Sequence, residues 1–416
     1  MKLFRLLSML ICTLILMTCV SFAAPEADFK IGSQSAVLMD IGTGQIIYSK
    51  NPDSRQSPAG LVKIMASLLA MENADLDAMA NVSGDAVLSV AGTNTLGLAP
   101  GETFTIREML YGMLMQSSND CAMVVAENVE ESSSAFVSKM NEKAKSLGCS
   151  NTNFTNVTGL YDLENYSTAK DMATIVAAAY ENPNFVEIAS TVSYKIPATS
   201  VAGERTLNAR CPLLGTYKNA KTGIAGYTDE GGYAMAVTAS KNNLNLVCVV
   251  MNAPDEKTRN DDCINLLDYG FENYQTFKIT PEEFKIDDAK LMGVFGKIGT
   301  VTFNLDNPVS ILAPIEATFE NLQFQPQKTS YRKNDEMAGT VSVLYNDEVI
   351  TELNLTGTPK KKITFYSVIK VILLVILIVV LLFVGLCAYY IYDAERKKKK
   401  RRQEKLKRTL RIKKDI

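Results

Sequence analysis

Residues 57–65 read Ser57-Pro58-Ala59-Gly60-Leu61-Val62-Lys63-Ile64-Met65. The stretch has the form of a helix start. Ser57 suits an N-cap and Pro58 suits the first helical position. The spacing predicts a helix over residues 58–72 and puts Gly60 and Lys63 one turn apart on one face. Ile64, Met65, Leu68 and Leu69 make that helix strongly apolar, so Lys63 is expected to be buried. A desolvated lysine gives up its proton more readily, which suits it to act as a general base. A hydroxyl one turn before it would be the group it activates. Residue 60 is a glycine and supplies none.

Two later segments belong with this one. Ser117-Ser118-Asn119 lies between apolar helical periods at 106–115 and 120–129. A loop there can present a hydroxyl and a carboxamide to a cleft, for proton relay and for holding a substrate amide. Ser and Asn also suit the N-cap of the second helix. Lys221-Thr222-Gly223 stands just before a strand pattern. A lysine and a hydroxyl on an edge strand can hold a carboxylate, and glycine lets a ligand backbone approach. By itself this tripeptide is also an ordinary turn.

The surrounding pattern sets the fold class. Residues 36–40 and 45–49 read as short strands about a Gly-Thr-Gly turn. Helical periods recur at 106–115, 120–129, 132–147 and 168–180, and residues 234–239 and 244–250 read as strands joined at Lys241-Asn242-Asn243. A last helix is expected over 261–273. This is an α+β arrangement, an antiparallel sheet flanked by helices, spanning about residues 30–275. From 277 to 357 short alternating runs such as Thr300–Asn304 and Thr340–Tyr345 predict a small all-β domain.

Composition excludes several chemistries. The 416 residues contain no histidine, which removes His-dependent triads and His metal sites. No cofactor or metal site is expected. Of eight cysteines, Cys121, Cys149, Cys211, Cys248 and Cys263 lie in the body of the chain with no CxxC spacing, which reads as buried thiols with at most one disulfide. The net charge of −2 hides an asymmetry. Residues 393–416 hold 13 basic and 4 acidic side chains, and residues 24–392 hold 28 and 41. An acidic body argues against nucleic-acid binding.

Both ends carry apolar segments. Residues 1–23 have the signal-peptide pattern: Lys2 and Arg5, an apolar run over 6–20, and Ser21-Phe22-Ala23 before the expected cleavage. Residues 371–388 are 18 uncharged positions, inside an apolar stretch over 365–392 broken only by Lys370. That length spans a bilayer as a helix, and Tyr366, Tyr389, Tyr390 and Tyr392 lie where an aromatic belt would. The basic run Arg396–Arg402 follows at once. The positive-inside rule makes 393–416 a cytoplasmic tail, leaving the main domains extracytoplasmic.

In order and context the motifs resemble those of the low-molecular-mass penicillin-binding proteins, the serine-type D-alanyl-D-alanine carboxypeptidases of the peptidase S11 type. Asp40, Thr43-Gly44, Tyr48–Asn51, Asn153-Phe154, Gly159-Leu160, Tyr166–Ala169 and Gly232-Tyr233 add to the likeness. The resemblance implies a penicillin-binding and serine β-lactamase-like domain, a small β domain and a membrane anchor. It implies the D-Ala-D-Ala end of peptidoglycan stem peptides as the ligand. By position, Gly60 would stand where the nucleophile stands, Lys63 would be the base, and Ser117 and Asn119 would relay protons and bind substrate. Lys221, Thr222 and Gly223 would hold the terminal carboxylate. Three departures follow. Gly60 replaces the serine, Asn165 stands where histidine is usual, and Ile224-Ala225 separates Lys-Thr-Gly from Gly226-Tyr227-Thr228. The first implies impaired or absent acylation and binding of β-lactams without a covalent bond. Ser57, Ser117 and the literal Ser167-x-x-Lys170 are the substitutes a working carboxypeptidase would draw on. A non-catalytic module for cell wall or another protein is the remaining reading.

Overall fold

The apolar runs at either end of the first 280 residues meet in one five-stranded antiparallel sheet. Its strands are β1 (Ser35–Asp40), β2 (Ile46–Lys50), β3 (Ala220–Thr228), β4 (Gly232–Lys241) and β5 (Leu244–Ala253). Their spatial order is β2-β1-β5-β4-β3, so β3 is an edge strand. The computed structural model describes residues 27–293, 296–332, 338–361 and 365–412. The signal-peptide pattern at 1–23 lies outside them.

Alternation along the strands sorts the core into two halves. Val37, Met39, Ala236, Val247 and Val249 pack on one side, and Ala36, Leu38, Val237, Cys248 and Val250 on the other. Side chains on a strand alternate faces, so β5 must be apolar throughout to fill both sides. On the first side lie helices α1 (Val62–Asn73), α2 (Ile106–Met115), α3 (Asn119–Val129), α4 (Ser133–Ser146) and α5 (Ala169–Tyr180). On the second lies α6 (Glu256–Asn273), through Cys263, Leu266, Leu267 and Phe271. The antiparallel sheet flanked by helices is the fold expected from the pattern.

Capping fixes where several helices begin. Thr105 and Glu108 form a reciprocal capping box at the start of α2. Thr168 accepts from the Asp171 N–H and starts α5. Asp255 accepts from the Thr258 N–H, so α6 starts at Glu256, five residues before the apolar period suggests. The expected start of the first helix is corrected. Ser57 does not cap it; Ala59–Leu61 form a 3-10 turn and α1 begins at Val62. Ala59 takes φ +46°, a conformation that local propensity does not anticipate. The hairpin at Asn242-Asn243 has positive φ at both residues, as a tight two-residue turn requires.

The chain divides into two compact units. The first includes Val309–Leu322 and Tyr345–Thr351 with the residues up to Ile279. Strand Tyr274–Ile279 pairs with Val309–Pro314 inside that unit. The second unit contains most of a six-stranded sheet with the strand order 322–326, 338–345, 348–361, 296–303, 289–293 and 330–332. Val301, Phe303, Leu291 and Tyr331 form its small core. The β-rich character expected for this part of the chain is present.

Helix Phe365–Ile412 carries the apolar stretch and runs on into the basic residues. It is long and apolar enough to cross a membrane. Among the described cysteines, Cys121, Cys149, Cys211, Cys248 and Cys263 are buried free thiols.

Candidate active site

The 3-10 turn, the α2–α3 loop and the edge strand β3 converge on a cleft of about 390 Å³. Gly60, Lys63, Ser117 and Asn119 all line it. Four of the positions singled out in the sequence are therefore brought together.

Lys63 is buried at 1% exposure on the first turn of α1. Its Nζ donates to Asn119 Oδ1 at 2.8 Å and, by a very short bond, to the Thr158 carbonyl. Burial pushes its pKa down to about 7; Cys121 and Asp120 oppose the shift and the Arg210 charge adds to it. The amine therefore exchanges its proton near neutrality, as a general base must.

Ser117 and Asn119 are placed by a network around Asn94 and Asp120. The Asn94 carboxamide donates to the carbonyls of Gln116 at 2.8 Å and Ser117 at 2.7 Å, and its backbone carbonyl accepts from Asn119 N. Asp120 accepts from the backbone N–H groups of Leu96, Leu98 and Cys121 and from Ser118 Oγ. Held this way, Ser117 adopts φ +52°. A non-glycine residue in that region is held by its surroundings, and such residues cluster at functional sites. Ser118, not Ser117, takes the N-cap position of α3, and it makes no side-chain capping bond.

The opposite wall is the loop 156–160. Asn156 Oδ1 accepts from the N–H groups of Thr158 and Gly159, which turns the Thr158 carbonyl toward Lys63. Gly159 has φ +78°, and a β-carbon there would overlap the Ala59 carbonyl. Only glycine fits.

Lys221, Thr222 and Gly223 do not line the cleft. Lys221 is exposed, Thr222 is bonded to Thr238 Oγ1 at 2.8 Å, and Gly223 faces Cys211. The residues of β3 that reach the cleft are Ala225, Gly226, Tyr227 and Thr228. Strand register decides this: Thr222 pairs with Thr238, and Gly226 pairs with Ala234 four residues further on. The cationic side chains in the cleft, besides Lys63, are Arg210 and Arg259. Arg210 Nη2 donates to Asn94 Oδ1 at 2.6 Å, and Arg259 pairs with Glu256 at 2.8 Å. Asn94, Thr158, Arg210 and Arg259 were not legible as site residues. Asn94, Arg210 and Arg259 come from segments with no motif of their own, and Thr158 stands just before Gly159-Leu160.

The substitutes for the missing hydroxyl are separated by the fold. Ser167 is fully buried against Thr152, and Lys170 faces Asp53 at the surface. Ser57 Oγ accepts from Ala59 N at 3.4 Å and is not among the cleft residues. Ser117 alone stands beside Gly60. Its Oγ is 2.7 Å from the point a β-carbon on Gly60 would occupy. Asn165 is buried beneath the Leu160 loop, outside the cleft lining.

The profile of the D-alanyl-D-alanine carboxypeptidase family, peptidase S11, matches residues 21–255. The chain belongs to this family. The carboxypeptidase DacF of Bacillus subtilis is 32% identical over 317 residues, 74% of this chain and 81% of that protein. DacA of Escherichia coli is 28% identical over 295 residues, covering 68% of this chain and 72% of the relative. Among solved structures, penicillin-binding protein 5 of Haemophilus influenzae superimposes with a TM-score of 0.70 at 25% identity. That match covers 80% of this chain and 98% of that one. A serine-to-alanine variant of the Streptomyces K15 DD-transpeptidase gives 0.57 at 26% identity over 59% of this chain and 99% of that one. The S11 fold is thus the penicillin-binding protein fold, and the family's role in the cell wall comes with it.

Proposed function

We propose that this S11-family protein binds the D-Ala-D-Ala end of peptidoglycan stem peptides and does not form an acyl-enzyme. The observation that carries the reading is Gly60. It sits one turn before a buried, proton-exchanging Lys63, in a cleft with Ser117 and Asn119, and offers no nucleophile. A covalent intermediate needs an attacking atom at that point, and nucleophile placement tolerates little error. Polar groups suited to a peptide remain: the Asn119 carboxamide, the Thr228 hydroxyl and the Arg210 guanidinium. With Lys221 outside the cleft, Arg210 is the cation we assign to the terminal carboxylate. β-lactams, by the same reasoning, bind without a covalent bond.

The test pairs binding with turnover. A peptide ending in D-Ala-D-Ala binds saturably to the purified protein and releases no D-alanine. Catalytic release of D-alanine would refute the reading.

We further propose that helix 365–412 anchors the protein in a single pass, with the folded units extracytoplasmic and residues 393–416 cytoplasmic. The 13 basic residues of that tail support the orientation. A membrane-impermeant amine reagent applied to intact cells should modify Lys195 and Lys257 and spare Lys397–Lys400. The reverse pattern would overturn the topology.

A further inference from the structure

Lys63 has two hydrogen-bond acceptors, Asn119 Oδ1 and the Thr158 carbonyl, and makes no ion pair among the described residues. An ammonium carries three N–H donors. Buried as it is, the charged form would leave one donor without a partner, which is costly away from water. A neutral amine has two N–H bonds and one lone pair. Two acceptors satisfy the two N–H bonds and leave the lone pair free in a cleft that opens to solvent. In a Ser-x-x-Lys arrangement that lone pair is spent on a hydroxyl proton. Here residue 60 has no hydroxyl.

We infer that Lys63 is itself the nucleophile of this cleft and forms an imine with small carbonyl compounds that carry a carboxylate, the α-keto acids. The lone pair attacks the carbonyl carbon to give a carbinolamine. The carbonyl oxygen then leaves as water with both amine hydrogens, and a C=N bond remains. No oxidant or reductant is consumed. Arg210 lines the same cleft, and its charge is felt at the Lys63 amine. It supplies the partner for the carboxylate. The cleft, at about 390 Å³, holds a three-carbon acid with room to spare. The other titratable groups around the amine are Cys121 and Asp120, both on α3. Asp120 is occupied by the N–H groups of Leu96, Leu98 and Cys121. The Cys121 thiol is held far above its ordinary range by burial and stays protonated. Neither competes for the ligand.

The inference rests on the reading that residue 60 supplies no nucleophile. It does not rest on peptide recognition, so the two fail separately. The test uses the full-length protein in detergent micelles, with pyruvate and sodium cyanoborohydride to reduce any imine to a stable amine. Peptide mapping at about pH 7.5 should place the reduced pyruvyl group on Lys63, at least about tenfold faster than on Lys195, an exposed lysine whose pKa Glu204 raises. The rate should rise through about pH 7 and level off. Lys63→Arg should lose the adduct. Should that variant fold poorly, Asn119→Asp decides the matter. It places a carboxylate against Nζ, keeps the amine charged, and should cut labelling by at least about tenfold. Arg210→Gln should slow pyruvate about fivefold more than it slows uncharged propionaldehyde, which senses only the loss of the Arg210 charge at the amine. Labelling of Lys63 no faster than Lys195 in the folded protein would overturn the inference. Normal peptide binding beside that result would leave the proposed function standing.

Discussion

The hydroxyl of Ser117 fills the space beside Gly60 that the first atom of a nucleophilic side chain would need. Its Oγ is 2.7 Å from the β-carbon position of residue 60, and the Cα of Gly226 is 3.1 Å from the same point. The two glycines also meet from the other side. A β-carbon on Gly226 would come within 2.6 Å of Gly60 N. The 3-10 turn and the edge strand therefore approach backbone to backbone, and the cleft is packed around the absence of a side chain at position 60.

Gly60→Ser follows directly from this contact. Ser117 can rotate its hydroxyl away, but the Gly226 backbone has to give by a few tenths of an ångström. The variant should fold with a loss of about 1 kcal/mol, read from denaturant unfolding. It should also acquire a covalent penicillin adduct at residue 60, because Lys63 then has a hydroxyl to deprotonate. A folded variant that stays unlabelled would mean that residue 60 is not the nucleophile position.

Lys221→Ala tests the register of β3. Lys221 is exposed and outside the cleft. Its removal should leave affinity for a D-Ala-D-Ala peptide within about twofold, whereas Arg210→Ala should weaken it by about tenfold or more, the loss of one charge-assisted contact. Equal losses in a titration of the two variants would return the carboxylate site to Lys221.

How much of this site could be read in advance depends on what fixed each part. Lys63, Ser117 and Asn119 were legible because their positions follow from local spacing: one helical turn, and a loop between two apolar periods. The Lys221-Thr222-Gly223 string was legible as letters only. Which residues of β3 reach the cleft depends on pairing with β4, a relationship between residues that string inspection does not give. Ser57-Pro58 misled for the same reason. Both residues have helix-start chemistry, yet the turn is set by the close fit of Gly159 against Ala59, a hundred residues away. The two-sided sheet was readable from β5, whose apolar run serves both core halves. Asn94, Thr158 and Arg210 act largely through backbone carbonyls or long side chains from loops, which leave no periodic signature.

The buried amine predicts a pH dependence of stability. The Lys63 pKa falls from 10.5 to about 7 on folding. Between those values the unfolded chain binds a proton that the folded chain does not, so this group makes the protein more stable as pH rises from about 7 to about 10. Lys63→Met removes the penalty, on the order of a few kcal/mol at neutral pH. The variant should melt above the parent near pH 7, and the gap in Tm should close toward pH 10. A gap that widens with pH would contradict the burial of a neutral amine.

Asp120 is the anchor of the loop that carries Asn94. Asp120→Ala strands the N–H groups of Leu96 and Leu98, part-buried and buried respectively. A loss of about 2–4 kcal/mol is expected in chemical unfolding, with faster hydrogen exchange confined first to residues 94–98. Unchanged exchange there would show that other contacts hold the loop.

The most direct test of the account is intact-mass spectrometry of the purified full-length protein in detergent after exposure to excess penicillin. The account predicts the unmodified mass, with reversible binding detected separately. A stoichiometric penicilloyl ester, mapped to Ser117 or to any other hydroxyl, would show that a serine-type nucleophile still acylates in the cleft and would contradict the central claim that Gly60 leaves it without one.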